Sequence, residues 1–170
     1  MRTTRYAIGL GSNRRHPRHG PPAAVLRTAL SVMTEAGLTV EARSPTIASA
    51  PLGPAQRRFA NAAAIIRTTL PPHALLRRLK RIEREFGRRP GRRWGDRVLD
   101  LDILLWSGGA LESRTLVIPH PALLQRRFAL APLAVVVPQW RIPRSPRHVV
   151  GALALLNKHP LRSARRPIVG

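Results

Sequence analysis

The sequence predicts an α+β protein with the ferredoxin-like α/β sandwich architecture, in which helices flank an antiparallel sheet. Strand-like and helix-like segments follow one another in the order strand, helix, strand, strand, helix, strand. Both helix-like segments begin at a pair of prolines and end at a glycine, which is typical of helix boundaries. With 170 residues, of which 44% are hydrophobic, the chain can form one sizeable core. We expect one domain over residues 1–158 and a basic, flexible tail over residues 159–170.

The first part of the chain contains a strand, a helix and an interrupted strand. Residues 6–10 predict the first strand. We interpret residues 9–13 as a plain turn, because a lone G-x-G pattern is weak evidence for phosphate binding. Apolar residues at helical spacing after the prolines at 21 and 22 predict a helix that Gly37 ends. Residues 38–48 alternate between apolar and polar but contain a proline, so we expect an irregular strand.

The middle of the chain contains a loop, a strand and the second helix. Prolines and glycines in residues 49–58 predict a loop whose length is typical of a functional one. In the strand that begins at Phe59, the ring and the amide of Asn61 share one face and could hold a flat heterocycle. A core phenylalanine beside a satisfied amide is the alternative, and from these residues alone it is preferred. On the second helix, Glu83 lies near the edge of the apolar face and could pair with Arg84 or Arg88.

Two of the three aspartates in the chain, Asp100 and Asp102, lie in a strand-like run of aliphatic residues. Apolar residues occupy both alternation phases, which predicts a buried strand. Period two places both carboxylates on one face, where they would repel each other and lose hydration unless a cation lay between them. Oxygen ligands favour Mg²⁺ over Zn²⁺, so the run predicts a magnesium site. Two solvated aspartates at a sheet edge are the alternative.

Basic groups flank this run. Arg92, Arg93 and Arg97 carry permanently charged, forked groups that suit phosphate oxygens. His120 lies between two prolines that stiffen its backbone, and it is a candidate phosphate donor, with a structural turn histidine as the alternative. Further on, residues 122–137 predict a short helix with basic residues and Phe128, followed by a separate apolar segment. Residues 148–156 predict the last helix.

Composition restricts the function only weakly. A formal net charge of +22 would attract any polyanion. All but two of the basic residues are arginines, however, a skew that a GC-rich genome also produces. Three Trp, one Tyr and three Phe provide little for stacking single-stranded nucleic acid. The lack of cysteine excludes disulfides and thiolate ligands, and no run predicts a signal peptide or membrane span. We expect a monomeric cytoplasmic protein that binds neither membrane nor a specific nucleic acid.

A series of short motifs resembles one family, the 6-hydroxymethyl-7,8-dihydropterin pyrophosphokinases. In chain order the motifs are Gly9-Leu10-Gly11-Ser12-Asn13, Pro51-Leu52-Gly53-Pro54, Phe59-Ala60-Asn61-Ala62, Glu83 with Gly87-Arg88, Arg93-Trp94-Gly95-Asp96-Arg97, Leu99-Asp100-Leu101-Asp102, Pro119-His120-Pro121 and Arg126-Arg127-Phe128. They cover roughly residues 5 to 135, and their joint occurrence is far more specific than any single motif.

The resemblance implies transfer of pyrophosphate from ATP to the hydroxymethyl group of 6-hydroxymethyl-7,8-dihydropterin, with release of AMP, in folate biosynthesis. It implies two Mg²⁺ ions at Asp100 and Asp102, and ATP as the co-substrate. The pterin-binding residues that it implies are Ser49, Leu52, Phe59, Asn61 and Phe128, with the two rings on either side of the pterin. The ATP-binding residues that it implies are Glu83, Arg88, Trp94, Arg97, His120 and Arg126, and Arg88 and Arg97 would also assist catalysis at the triphosphate.

The sequence departs from the family pattern in three places. Asp96 occupies the proline position of the family's usual Gly-Pro-Arg turn. Pro90 occupies the position where the Gly-Arg-x-Arg loop often has its second arginine. Val117 occupies a place where relatives can have a polar residue that touches the nucleotide. None of these departures affects the aspartate pair.

Two other functions are compatible with the predicted architecture. RNA-recognition domains share it, but they expose aromatic residues on central strands within a characteristic motif that this chain lacks. Here we expect carboxylates on a central strand, where they would repel a nucleic-acid backbone. A pseudoenzyme that binds pterin or nucleotide without turnover is the third possibility, and the retention of Asp100 and Asp102 argues against it.

Overall fold

The structure, a computed structural model, describes residues 2–50, 57–87 and 97–159. The strands are β1 (Thr4–Ser12), β2 (Thr39–Arg43), β3 (Ile47–Ser49), β4 (Phe59–Thr68), β5 (Asp100–Trp106), β6 (Leu111–Glu112) and β7 (Val117–Ile118). The helices are α1 (Pro22–Glu35), α2 (Pro72–Glu85), α3 (Arg127–Val136) and α4 (Val149–Lys158), with a 3-10 turn at Leu123–Gln125.

The main sheet has the strand order β2-β4-β1-β5, and β3 also pairs with β4. Every pairing in it is antiparallel. This architecture confirms the prediction of an α+β fold with an antiparallel sheet and flanking helices. Strands β1 and β4 are central, whereas β5 lies at an edge in the part of the chain that the structure describes. The expectation that the aspartates lie on a central strand was therefore wrong.

Helices cover both faces of the sheet, which explains the apolar residues on both phases of β5. On one face, α1 and α2 pack against a cluster that includes Tyr6, Leu79 and Leu101. On the other face, α3 and α4 contribute to a second cluster that includes Leu104 and Leu130. Strand β4 contributes buried residues to both clusters. Burial on both faces therefore does not require a central position in the sheet.

Helices α1 and α2 confirm the predicted boundaries. Each begins directly after the first proline of its pair, and each is followed by a glycine with positive φ, 83° at Gly37 and 87° at Gly87. Glycine adopts this left-handed conformation at little cost, so it stops the helix at that position. Helix α4 likewise confirms the helix predicted over residues 148–156.

Two local predictions were wrong, and one small element was not predicted. Gly9 and Gly11 lie within β1 and not in a turn, because β1 is paired on both sides along this stretch. The apolar segment after Phe128 is itself helical, since α3 continues through Pro132 to Val136. The short hairpin of β6 and β7 was not predicted, because its strands have only two residues each and carry no periodicity. None of the described helices is long and apolar enough to cross a membrane.

Candidate active site

A row of polar residues and glycines crosses three strands on the face that α3 and α4 partly cover. Gly11 of β1 is paired with Asp100 of β5 on one side and with Asn61 of β4 on the other. In the next row, Gly9 is paired with Asp102 on the β5 side. Directly opposite residues project from the same face of a sheet, so the carboxylates and the amide face the same space with glycines between them.

The two aspartates have different surroundings. Asp100 Oδ1 accepts a hydrogen bond from Arg97 Nη1 at 2.9 Å. Asp102 Oδ2 lies 4.0 Å from His120 Nε2, and its side chain is 33% exposed. Burial, and then the charge of Asp100, raise the pKa of Asp102, while His120, Lys80 and Arg126 oppose the shift. The pair therefore carries negative charge that its neighbours compensate only in part.

The donor set fits Mg²⁺. Within the described ranges no group of three or more His, Cys, Asp or Glu side chains could hold a metal, which disfavours a site built from protein ligands alone. Magnesium commonly uses one or two carboxylates and takes its remaining ligands from water and substrate phosphates. Asp100 and Asp102, two residues apart on one face, provide that number of carboxylates and leave the remaining positions to a phosphate.

His120 is held by one hydrogen bond at its backbone and one at its ring. Its backbone N–H donates to the carbonyl of Leu104 at 3.0 Å, and its ring Nδ1 accepts from the backbone N–H of Ala122 at 3.1 Å. Nδ1 is therefore unprotonated, and a neutral ring carries its proton on Nε2, the atom that faces Asp102. Burial lowers the pKa of His120, and the charge of Asp102 opposes this shift. The ring can thus act as a neutral donor at the site.

Asn13 fixes the backbone of Arg97, whose side chain contacts Asp100. Its Oδ1 accepts from the N–H of Arg97 at 2.7 Å, and its own N–H donates to the carbonyl of Arg97 at 3.1 Å. Only 2% of Asn13 is exposed. We did not predict this role, and the available signal was a polar residue directly after a strand that ends near the site.

Glu83 lies behind the aspartate strand, on the face that α2 covers. It is completely buried, and its Oε1 accepts hydrogen bonds from the N–H of Leu101 at 2.7 Å and from Lys80 Nζ at 2.8 Å. Lys80 also lies 3.3 Å from the carbonyl oxygen of Leu101. The two side chains therefore satisfy the outer backbone groups of the residue between the two aspartates. The sequence singled out Glu83 but not Lys80, although their spacing of three residues allows contact on a helix.

A second group of residues lies around Asn61. Its Nδ2 donates to Ser49 Oγ at 2.8 Å, and Ser49 is paired with Phe59 across β3 and β4. Phe128 lies in the first turn of α3, which packs against both strands. The guanidinium carbon of Arg126 lies 5.7 Å from the centre of the Phe128 ring.

Arg126 connects the two groups, because its charge also acts on Asp102 and His120. Ser49, Phe59, Asn61, Arg97, Asp100, Asp102, His120, Arg126 and Phe128 thus belong to one region of the fold. The predicted site residues Leu52, Arg88 and Trp94 lie outside the described residues, as do Pro90, Arg92, Arg93 and Asp96.

Comparison with known proteins identifies the family. Residues 7–138 match the family model of 7,8-dihydro-6-hydroxymethylpterin-pyrophosphokinase (HPPK). The chain belongs to this family. A relative in Pseudomonas aeruginosa, 2-amino-4-hydroxy-6-hydroxymethyldihydropteridine pyrophosphokinase, is 43% identical over 151 residues, which are 88% of this chain and 90% of that protein. The relative of the same name in Synechocystis is 38% identical over 144 residues, or 84% and 71% of the two chains.

A solved structure supports the HPPK fold independently. The crystal structure of wild-type HPPK-DHPS from Plasmodium falciparum matches with a TM-score of 0.71 and covers 93% of this chain. The sequence identity is 12%, so this likeness bears on the fold alone. The present chain spans 46% of that longer chain. The family resemblance and the fold predicted from the sequence are confirmed, whereas the roles of single residues remain predictions.

Proposed function

We propose that this HPPK-family protein transfers a pyrophosphoryl group from ATP to the hydroxymethyl group of 6-hydroxymethyl-7,8-dihydropterin, in folate synthesis. The substrate oxygen forms a bond to the β-phosphorus, the bond from that phosphorus to the α,β-bridging oxygen breaks, and AMP leaves with that oxygen. The hydroxyl proton passes to solvent. The observation that carries the proposal is the row in which Gly11 separates Asp100 from Asn61, in a chain whose family is defined by this reaction.

The phosphate end of the site is formed by Asp100 and Asp102, with basic groups around them. We propose that the two carboxylates hold two Mg²⁺ ions, which when bound neutralise and orient the phosphate oxygens. Arg97 and Arg126 contribute fixed positive charge, and His120 Nε2–H can donate to a phosphate oxygen. Such a transfer depends on alignment and charge neutralisation, so no covalent nucleophile is required.

The pterin end is formed by Asn61 and two aromatic rings. Ser49 orients the Asn61 amide, which suits hydrogen bonding to the edge of a heterocycle. We propose that Phe59 and Phe128 stack on the two faces of the ring, which apolar and aromatic contact stabilises. Leu52, Arg88 and Trp94 complete the proposed set through the family resemblance alone.

Glu83 enters this proposal as a positioning residue. Its complete burial and its bond to the N–H of Leu101 make it act through the aspartate strand and not by contact with phosphate. Direct contact would also bring a carboxylate towards a polyanion, which is unfavourable. We therefore propose that Glu83 contributes to the ATP site indirectly, by holding the strand that carries the two aspartates.

Product analysis tests the function directly. The full chain is mixed with Mg-ATP, with and without 6-hydroxymethyl-7,8-dihydropterin, and nucleotides are separated by chromatography. We expect AMP, in amounts equal to the pyrophosphorylated pterin, only when the pterin is present. ADP in place of AMP would identify transfer of a single phosphoryl group and contradict the proposal. A folded protein that binds pterin but releases no AMP would be the binding-only alternative.

A further inference from the structure

The floor of the site between its phosphate and pterin ends consists of backbone. Gly11 is the only residue between Asp100 and Asn61 in their row, since β1 is the only strand between β5 and β4. Neighbouring strands are about 4.8 Å apart, so a substrate held at Asn61 must extend over β1 to bring its hydroxyl group to a phosphate at Asp100.

A side chain at this position would enter the site. A Cβ atom added to Gly11 would lie 3.6 Å from Asn61 Oδ1 and 3.9 Å from Phe59 Cδ1. These are the two groups proposed to hold the heterocycle. The methyl group would therefore occupy space beside both the amide and the ring, where the substrate would lie.

The fold itself does not require glycine here. Both distances are ordinary van der Waals contacts, and the φ angle of Gly11 is not in the positive range that favours glycine. Glycine inside a strand is unfavourable compared with residues that restrict the unfolded chain. Gly9 differs, because its Cβ would lie only 3.2 Å from Leu104 Cδ1 and 3.3 Å from Leu104 Cδ2, so packing alone restricts that position.

We infer that Gly11 is a specificity-determining residue, whose missing side chain lets the hydroxymethyl arm of the heterocycle cross β1 to the phosphate. This inference rests on the proposed function, since it assumes a pterin at Asn61 and a nucleotide at the aspartates. A larger side chain at position 11 would reduce the space for the pterin and leave the phosphate end of the site unchanged.

The test compares Gly11→Ala and Gly11→Val with wild-type protein in three measurements. These are the melting temperature, the affinity for 6-hydroxymethyl-7,8-dihydropterin with Mg²⁺ and an unreactive methylene analogue of ATP, and the steady-state constants for both substrates. We expect Gly11→Ala to melt at or above the wild-type temperature, to bind the pterin at least about tenfold more weakly, and to keep its KM for ATP within about twofold. Gly11→Val should bind the pterin more weakly still.

Two glycine variants serve as controls. Gly151→Ala places a methyl group in open space on α4 and should change no kinetic constant. Gly9→Ala should lower the melting temperature, because its methyl group presses on Leu104. Wild-type pterin affinity in Gly11→Ala would overturn the inference. So would a lowered melting temperature with equal losses for both substrates, which would indicate a structural role. The binding titration does not need turnover, so a wild-type protein that forms no AMP would refute the function separately.

Discussion

At the scale of single residues, the two aspartates have the same side chain and the same strand but different electrostatic surroundings. Asp100 is neutralised by Arg97 at 2.9 Å. Asp102 has only a histidine at 4.0 Å as its nearest ion-pair partner among the described contacts, and burial raises its pKa. The excess of negative charge is thus concentrated at Asp102, which makes it the stronger attractor for a cation.

Removal of either carboxylate should abolish the reaction without unfolding the protein. We expect Asp100→Ala and Asp102→Ala to reduce AMP formation by about two orders of magnitude or more, because charge neutralisation at the phosphates is lost. The measurement is steady-state AMP release at saturating Mg-ATP. Glu112→Ala removes an exposed carboxylate that pairs with Arg144 and should retain full activity. Undiminished activity in either aspartate variant would refute the metal assignment.

The stability of the unliganded protein should report the raised pKa of Asp102. The ordinary pKa of the aspartate side chain is 3.8. At a pH just above this value, Asp102 keeps its proton in the folded state, whereas the unfolded chain has released it. The contribution of Asp102 to stability is therefore present below the unfolded pKa and lost as the pH rises through the folded pKa. In EDTA, we expect Asp102→Asn to melt above wild type near about pH 7, with the difference shrinking towards about pH 4. Asp100→Asn loses the charge of its ion pair with Arg97 and should show no such gain.

Phe128 should contribute to the pterin end alone. We expect Phe128→Ala to weaken pterin binding by about tenfold, which corresponds to a stacking contribution of about 1.4 kcal/mol, and to leave ATP binding nearly unchanged. Calorimetry with each ligand measures the two affinities. Val135→Ala, on the exposed side of the same helix, is the matched control. A larger loss for ATP than for the pterin would overturn the stacking role.

At the scale of elements, the junction between α2 and β5 determines how the aspartates are held. An edge strand presents unpaired backbone groups on its outer side. Here Glu83 and Lys80 bond the N–H and the carbonyl of Leu101, as a neighbouring strand would do. Because Leu101 lies between Asp100 and Asp102, these bonds restrain the backbone that carries both carboxylates.

Variants at position 83 can separate the hydrogen bond from the charge. Glu83→Ala leaves the buried N–H of Leu101 without an acceptor, which should destabilise the fold by about 2–3 kcal/mol. Glu83→Gln keeps an acceptor and should cost less, because mainly the ion pair with Lys80 is lost. Denaturant unfolding measures both values. Equal stability of the alanine and glutamine variants would show that the bond to Leu101 contributes nothing.

At the scale of the whole molecule, the net charge of +22 is much larger than the site requires. Among the described surface carboxylates, Glu41 is paired with Arg5 and Arg67, and Glu112 is paired with Arg144. With 30 basic and eight acidic residues, most of the positive charge of the chain has no carboxylate to neutralise it. A long-range field of this sign draws in ATP and any other polyanion alike.

Binding to nucleic acid should accordingly be non-specific and separable from the reaction. We expect a fluorescent duplex to bind at about 50 mM salt and to lose most of its affinity by about 200 mM, with no preference for base sequence. Pterin-dependent AMP formation should persist at the higher salt concentration, with an increased KM for ATP. Tight, sequence-dependent binding at that concentration would instead support the RNA-binding alternative.

Much of the fold was predictable because its signals are local. The proline pairs and glycines that bound α1 and α2 act within one helical turn, and the predicted boundaries are confirmed. The glycines of β1 were misread because their pairing partners lie far away in the sequence. The helical nature of the segment after Phe128 was missed because Pro132 interrupts the local pattern.

The sequence by itself determined the order of elements, the pairing of Asp100 with Asp102 on one face, and the family motifs, since spacing along one chain segment decides all three. Only the tertiary structure decided that β5 lies at an edge, that Glu83 supports it from behind, and that Gly11 forms the floor between Asp100 and Asn61. Each of these depends on strand neighbours and register. Those are set by the burial of side chains from distant segments in a common core, which no local pattern contains.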